Sequence, residues 1–87
     1  MPKLNWEIVK WNIAEAREQL EEIERQIATG EISEGSFGVM ITHAFHHLNF
    51  AWNIRRVSTK RYSNLTTEDF NFGGDFPADI ELLKNES

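Results

Sequence analysis

All three histidines of the chain, His43, His46 and His47, fall within one short run, His43-Ala44-Phe45-His46-His47-Leu48-Asn49-Phe50-Ala51-Trp52. Imidazole is the side chain best suited to metal ligation and to proton transfer near neutral pH, so chemistry is sought here first. His43 and His47 are four positions apart; on a helix they project from one face, where neutral imidazoles can share an ion such as zinc. Two ligands do not complete a zinc site. The glutamate that directly follows the first histidine in zinc metalloproteases is replaced by Ala44. The glutamate three residues before a histidine in di-iron bundles is replaced by Met40, His43 or Ala44. A two-fold interface would supply what is missing, because His43 and His47 from two chains give four nitrogens and a closed tetrahedral zinc. The packing alternative is a histidine held by one hydrogen bond among Phe45, Leu48 and Phe50, a role its intermediate polarity suits.

Other reactive patterns are absent from the sequence. There is no cysteine, and no serine stands in a Gly-x-Ser-x-Gly turn, so nucleophilic catalysis has no signature. Glu34-Gly35-Ser36-Phe37-Gly38 lacks the spacing and the lysine of a phosphate-binding loop. Asp69-Phe70-Asn71-Phe72-Gly73-Gly74-Asp75 opens like a calcium loop but fails at Gly73 and again at Ile80, where a bidentate glutamate is required, so it reads as a turn. General acid/base work would need a carboxylate-held histidine beside a pocket, and the acids of the N-terminal segment all fit a solvated face.

These histidines must be positioned by helices. Trp6, Val9, Ile13, Ala16, Leu20, Ile23 and Ile27 recur every three or four residues, which predicts one apolar stripe on a helix from about Asn5, its N-cap, to Thr29, with Gly30 as the terminating residue. Ser33 caps a second predicted helix, about 33–57, and the short connection makes the pair an antiparallel hairpin. This second helix carries two stripes. Phe37, Ile41, Ala44, Leu48 and Ala51, widened by Phe45 and Trp52, face the first helix; Met40, His43, His47, Phe50, Ile54 and Val57 form another, about 120° around, that needs a neighbour of its own. That neighbour is either the C-terminal segment or a second copy of the chain. In the turn-rich remainder, 58–87, Thr66 and Asp69 signal a short helix near 67–71, and Pro77 opens another near 77–83. Phe70, Phe72 and Phe76 predict that this segment folds back over the hairpin, covering Trp11 on the rear of the first helix.

Composition bounds the rest. At 87 residues the chain is one domain, with a core small enough that self-association is a natural supplement. A net charge of −5 argues against a general nucleic-acid binder; Arg55, Arg56, Lys60 and Arg61 read as the basic end of a helix. The absence of cysteine, of a secretory leader and of a run of about 20 apolar residues suggests a cytoplasmic, non-membrane protein. The expectation is an all-α domain, dimerising into a four-helix bundle, that works as a protein interaction or regulatory module. Its expected interface is Met40, His43, His47, Phe50, Ile54, Val57 and Trp11. A zinc-binding bundle with His43 and His47 as symmetric ligands is the alternative, and a small enzyme with a histidine base a third class. No other cofactor is implied.

Overall fold

The computed structural model describes residues 3–79, and these are α-helix and turns with no strand. Four helices follow in order: α1, Trp6–Thr29; α2, Glu34–Asn53; α3, Thr59–Tyr62; and α4, Thr67–Gly74. No helix among the described residues is long and apolar enough to cross a membrane.

The helix ends are set by the residues that signal them. Asn5 Oδ1 accepts from the backbone N–H groups of Glu7 and Ile8, and Gly30 closes α1 in the left-handed conformation at φ 76°. Only glycine adopts that conformation without a Cβ penalty. Ser33 caps α2 in a reciprocal pair with Ser36, and Thr66 caps α4 in the same way with Asp69. At the foot of α1, the Arg25 guanidinium binds Glu22 at 2.6 Å and Glu31 at 3.1 Å, fastening the connection to α2. Asn5 also ties distant chain together: its Nδ2 donates to the Val57 carbonyl at 2.9 Å and to Thr59 Oγ1 at 3.2 Å, while its backbone N–H donates to the Arg55 carbonyl. The start of α1 is thereby joined to the chain leaving α2.

α1 packs on α2 through only part of the stripe expected, Ala16 and Ile23. Its buried residues are Ile8, Asn12, Ala16 and Ile23, whereas Trp6, Ile13, Leu20 and Ile27 are exposed. At about 100° per residue, the contact is turned by about 80° from the apolar line. The reason is Asn12, which is 1% exposed and occupies a core position that a count of apolar residues passes over. On α2 the corresponding buried residues are Ala44 and Ala51, and the outer line Phe37, Phe45 and Leu48 is exposed.

The second stripe of α2 is covered by the chain itself over its C-terminal half, from Phe50 onward. Phe50 and Ile54 join Ile8 in the centre of the core, with Val57, Tyr62 and Leu65 packed around them. α4 seats on Phe50 through glycine: a Cβ added to Gly73 would lie 2.8 Å from the ring. The two glycines read from sequence as a loop are thus the last turn of α4, where the missing side chain permits close approach. Asn53 Nδ2 donates to the carbonyls of Phe72, Gly73 and Asp75, and Asn49 Nδ2 to that of Gly74, satisfying carbonyls that a helix end leaves free. Phe70 touches Phe50 edge-on and lies beside His46, but it is 53% exposed, and Phe72 and Phe76 are exposed as well, contrary to the expectation that all three would close over the pair. α2 ends earlier than expected, with Ile54 as C-cap, and α3 was not foreseen. Residues 77–79 are not helical, and the rest of the expected 77–83 helix lies outside the described residues. The last described acid, Asp79, accepts from the Trp52 indole N–H at 2.8 Å, beside an Arg55 guanidinium lying 3.9 Å over the same ring.

Candidate functional site, a histidine relay anchored on Asn12

The geometry of two of the histidines, His47 and His43, follows from one buried amide. Asn12 Nδ2 donates to the Ile8 carbonyl at 2.9 Å and to the Tyr62 hydroxyl at 3.3 Å. A carbonyl can only accept, so the orientation of the amide is fixed and its oxygen must face the other way, towards His47 Nδ1 at 3.0 Å. His47 therefore carries its proton on Nδ1, and its Nε2 presents a lone pair. That lone pair points to His43 Nε2 at 3.2 Å, and the two rings lie 4.9 Å apart. In the neutral pair His43 Nε2–H donates and His47 Nε2 accepts. A single directed chain thus runs from Tyr62 and Asn12 in the core, through His47, to the exposed His43.

His46 is placed apart from this relay. Its ring packs between Phe50 and Phe70, 4.7 and 5.0 Å between centroids, and lies against the position where Gly74 has no Cβ. His46 is half-buried, whereas His43 is exposed. Burial, and next the charge of His43, lower the pKa of His46 below the ordinary histidine value. His47 is lowered by the same two causes in the same order, and by His46; Glu15 on α1 opposes the shift.

These shifts give stability a defined pH dependence. With folded pKa values below the unfolded value of about 6.5, the unfolded chain binds protons that the folded chain refuses. Stability is therefore fully present above about pH 6.5 and declines as pH falls from there towards the lowered folded values. The groups facing His47 are Asn12 and Glu15 from α1 and His43 and His46 from α2; those facing His46 are His43, His47 and Phe50 on its own helix and Phe70 and Gly74 on α4. Carboxylates lowered by their partners, Glu31, Asp69 and Asp79, act at more acid pH, which separates the two windows. Urea melts at pH 8 and pH 5.5 are expected to show the more acid sample less stable; equal midpoints would contradict the burial of these rings.

Of the residues expected at an interface, Phe50 and Ile54 are buried within the chain, Val57 and Met40 are half-buried, and Trp11 is partly covered by Tyr62, whose ring lies 6.1 Å away. The C-terminal half of the stripe that needed a neighbour has found one in α4, Tyr62 and Leu65, while His43 in its other half is exposed. Trp6 (67% exposed), Ile13, Leu20 and Ile27 (60%) on α1, with Phe37, Phe45 (53%) and Leu48 on α2, form one uncovered apolar surface, while Val39, Phe70, Phe72 and Phe76 are exposed elsewhere. Ile27 and Phe37 meet there in a shallow depression with Ile32, Ser33 and Glu34. This surface was missed because the exposed lines were assigned to the contact between α1 and α2. No match was found to any protein-family model, to any curated protein or to any solved structure.

Proposed function

We propose that the chain is a self-associating interaction module: an antiparallel helical hairpin, clasped on one side by its own C-terminal segment, whose uncovered apolar face packs on that of a second copy to make a four-helix bundle. The observation that supports this reading is the run of large side chains at Trp6, Ile13, Leu20 and Ile27, spaced by seven and exposed to water. Relative to the side of each helix that meets its neighbour, this line lies about 80° round α1, and Phe37, Ile41, Phe45 and Leu48 lie about 100° round α2 in the same rotational sense. In oppositely running helices the same sense brings both lines to one side of the pair.

The order of residues favours a second copy over an unrelated partner. Reversed, the α1 line pairs with itself: Trp6 opposite Ile27 and Ile13 opposite Leu20. The α2 line does likewise, Ile41 opposite Leu48 about a centre at Phe45. Lys10, Arg17 and Glu24 flank the α1 line with the same spacing of seven, so an antiparallel copy sets Lys10 against Glu24 twice, with one Arg17 pair at the axis. The centres agree as well, since the contact of Asn12 with His47 puts the middle of the α1 line within about 3 Å of the α2 centre along the axis. One two-fold axis therefore serves both helices.

Sedimentation equilibrium over a concentration series is expected to give a dimer. Leu20→Glu, which places two charges at the centre of the bundle, is expected to give a monomer of unchanged helix content. Lys10→Glu is expected to weaken association by a few-fold, and Lys10→Glu with Glu24→Lys to restore it, because exposed pairs contribute about 0.2–1 kcal/mol each. A wild-type chain that stays monomeric at about 1 mM, roughly the weakest association of 4 kcal/mol, overturns the proposal. Dimers unaffected by Leu20→Glu would assign the interface to another surface.

A further inference from the structure

We propose that His43 and His47 form the binding site of one divalent transition-metal ion of the zinc class, within a single chain and on the flank of α2 away from the face proposed for self-association. The two Nε2 atoms are 3.2 Å apart. Nitrogens bound to one zinc at about 2.0–2.1 Å, subtending about 90–110°, are separated by about 2.9–3.4 Å, so the pair already stands at the distance of adjacent ligands. An ion would take the place of the proton the two rings share.

The site is also oriented for a metal from behind. Histidines that bind metals donate their other ring N–H to a fixed acceptor, which sets the tautomer and the direction of the lone pair. Asn12 Oδ1 is that acceptor for His47, and its amide is locked by the Ile8 carbonyl and Tyr62. His43 is exposed, so its proton can move from Nε2 to Nδ1 and remain hydrated while Nε2 turns its lone pair to the ion. The neutral pair thus binds without net release of a proton. Among the charges that act on His47, Glu15 is the acid, and its field favours a cation.

Among the described residues no cluster of three or more histidine, cysteine or acidic side chains is gathered. The ion would therefore keep water in its remaining positions and exchange readily, a carried or sensed ion in place of a closed structural zinc. Because the ligands are imidazole nitrogens, copper(II) should bind more tightly than zinc.

Calorimetric titration of tag-free protein with zinc chloride at pH 7.5 is expected to show one ion per chain. His43→Ala and His47→Ala should each weaken binding at least tenfold. His43→Ala is the decisive variant because that side chain is exposed and its loss leaves the fold intact by circular dichroism. His46→Ala should bind as the wild type does, and so should Leu20→Glu, which keeps this test independent of self-association. Copper(II) should give an electron paramagnetic resonance spectrum with coupling to two nitrogens. Absence of zinc binding by the wild type at about millimolar metal, or binding by His43→Ala equal to that of the wild type, overturns the proposal.

Discussion

Asn12→Ala is expected to lower the stability of the folded chain by about 2–3 kcal/mol, the sum of buried hydrogen-bonding groups left without partners and a small cavity. The side chain is 1% exposed and serves two partners beyond its own helix, the Tyr62 hydroxyl and His47 Nδ1. Removing it takes the acceptor from the His47 Nδ1–H and the donor from the Tyr62 hydroxyl, and unfastens α3 from α1 in the same step. For a domain of this size that corresponds to a fall of roughly 10 °C or more in melting temperature, since each kcal/mol is worth about 4–8 °C. Asn12→Leu separates the two contributions. It keeps most of the volume, so the cavity is filled, but the histidine and tyrosine remain unsatisfied and a loss of about 1–3 kcal/mol persists. Asn12→Asp is expected to reverse the pH dependence near neutrality, because a carboxylate against His47 Nδ1 favours the imidazolium and raises its pKa. Stability conferred by that pair is present at acid pH and fades as pH rises through the raised value. An Asn12→Ala chain within about 0.5 kcal/mol of the wild type would mean that the relay does not hold the core, since changes of that size are typical of surface positions.

Asn12 is also where reading the sequence stops short. Caps are local, so Asn5, Ser33, Gly30 and the Thr66–Asp69 box were all legible and all stand where expected. The rotation of α1 was not. A stripe is assigned by apolar type, and Trp6, Ile13, Leu20 and Ile27 outvote Ile8 and Asn12 until it is known that a tyrosine 50 residues away and a histidine 35 residues away satisfy the amide. Such partners are set by tertiary packing and leave no periodic trace. The two apolar flanks of α2 were legible, with the requirement that something lie on the second, and the chain meets that requirement with Tyr62, Leu65 and α4. Gly73-Gly74 misled for a related reason. Glycine pairs signal loops because the backbone is free, and here the useful property is the absent side chain, which is visible only once Phe50 is known to lie opposite. The histidine pair was legible as a face of α2, whereas the tautomer of His47 follows only from the structure.

The contact between α4 and α2 can be tested as a pair. Phe50, 4% exposed, lies at the centre of the core with Ile8 and Ile54, and its truncation to alanine is expected to cost about 3–5 kcal/mol, enough to unfold much of a small domain. Gly73→Ala forces a methyl group to within 2.8 Å of the same ring, and a ring packed on all sides cannot yield. Overpacking of this kind costs about 1–3 kcal/mol, against which alanine recovers about 0.5–1 kcal/mol of helix propensity, so the net change is destabilising. In the Phe50→Ala background the clash disappears and only the gain in propensity is left. Gly73→Ala should therefore change sign, destabilising the wild type and stabilising Phe50→Ala, and the double-mutant cycle should give a coupling of about 1–3 kcal/mol. Because Phe50→Ala alone leaves little folded protein, the cycle is best measured with Phe50→Leu, which removes the ring edge but keeps most of the burial. Additive effects in that cycle would mean that α4 does not seat on Phe50, and with it would fall the clasp that closes this side of the molecule.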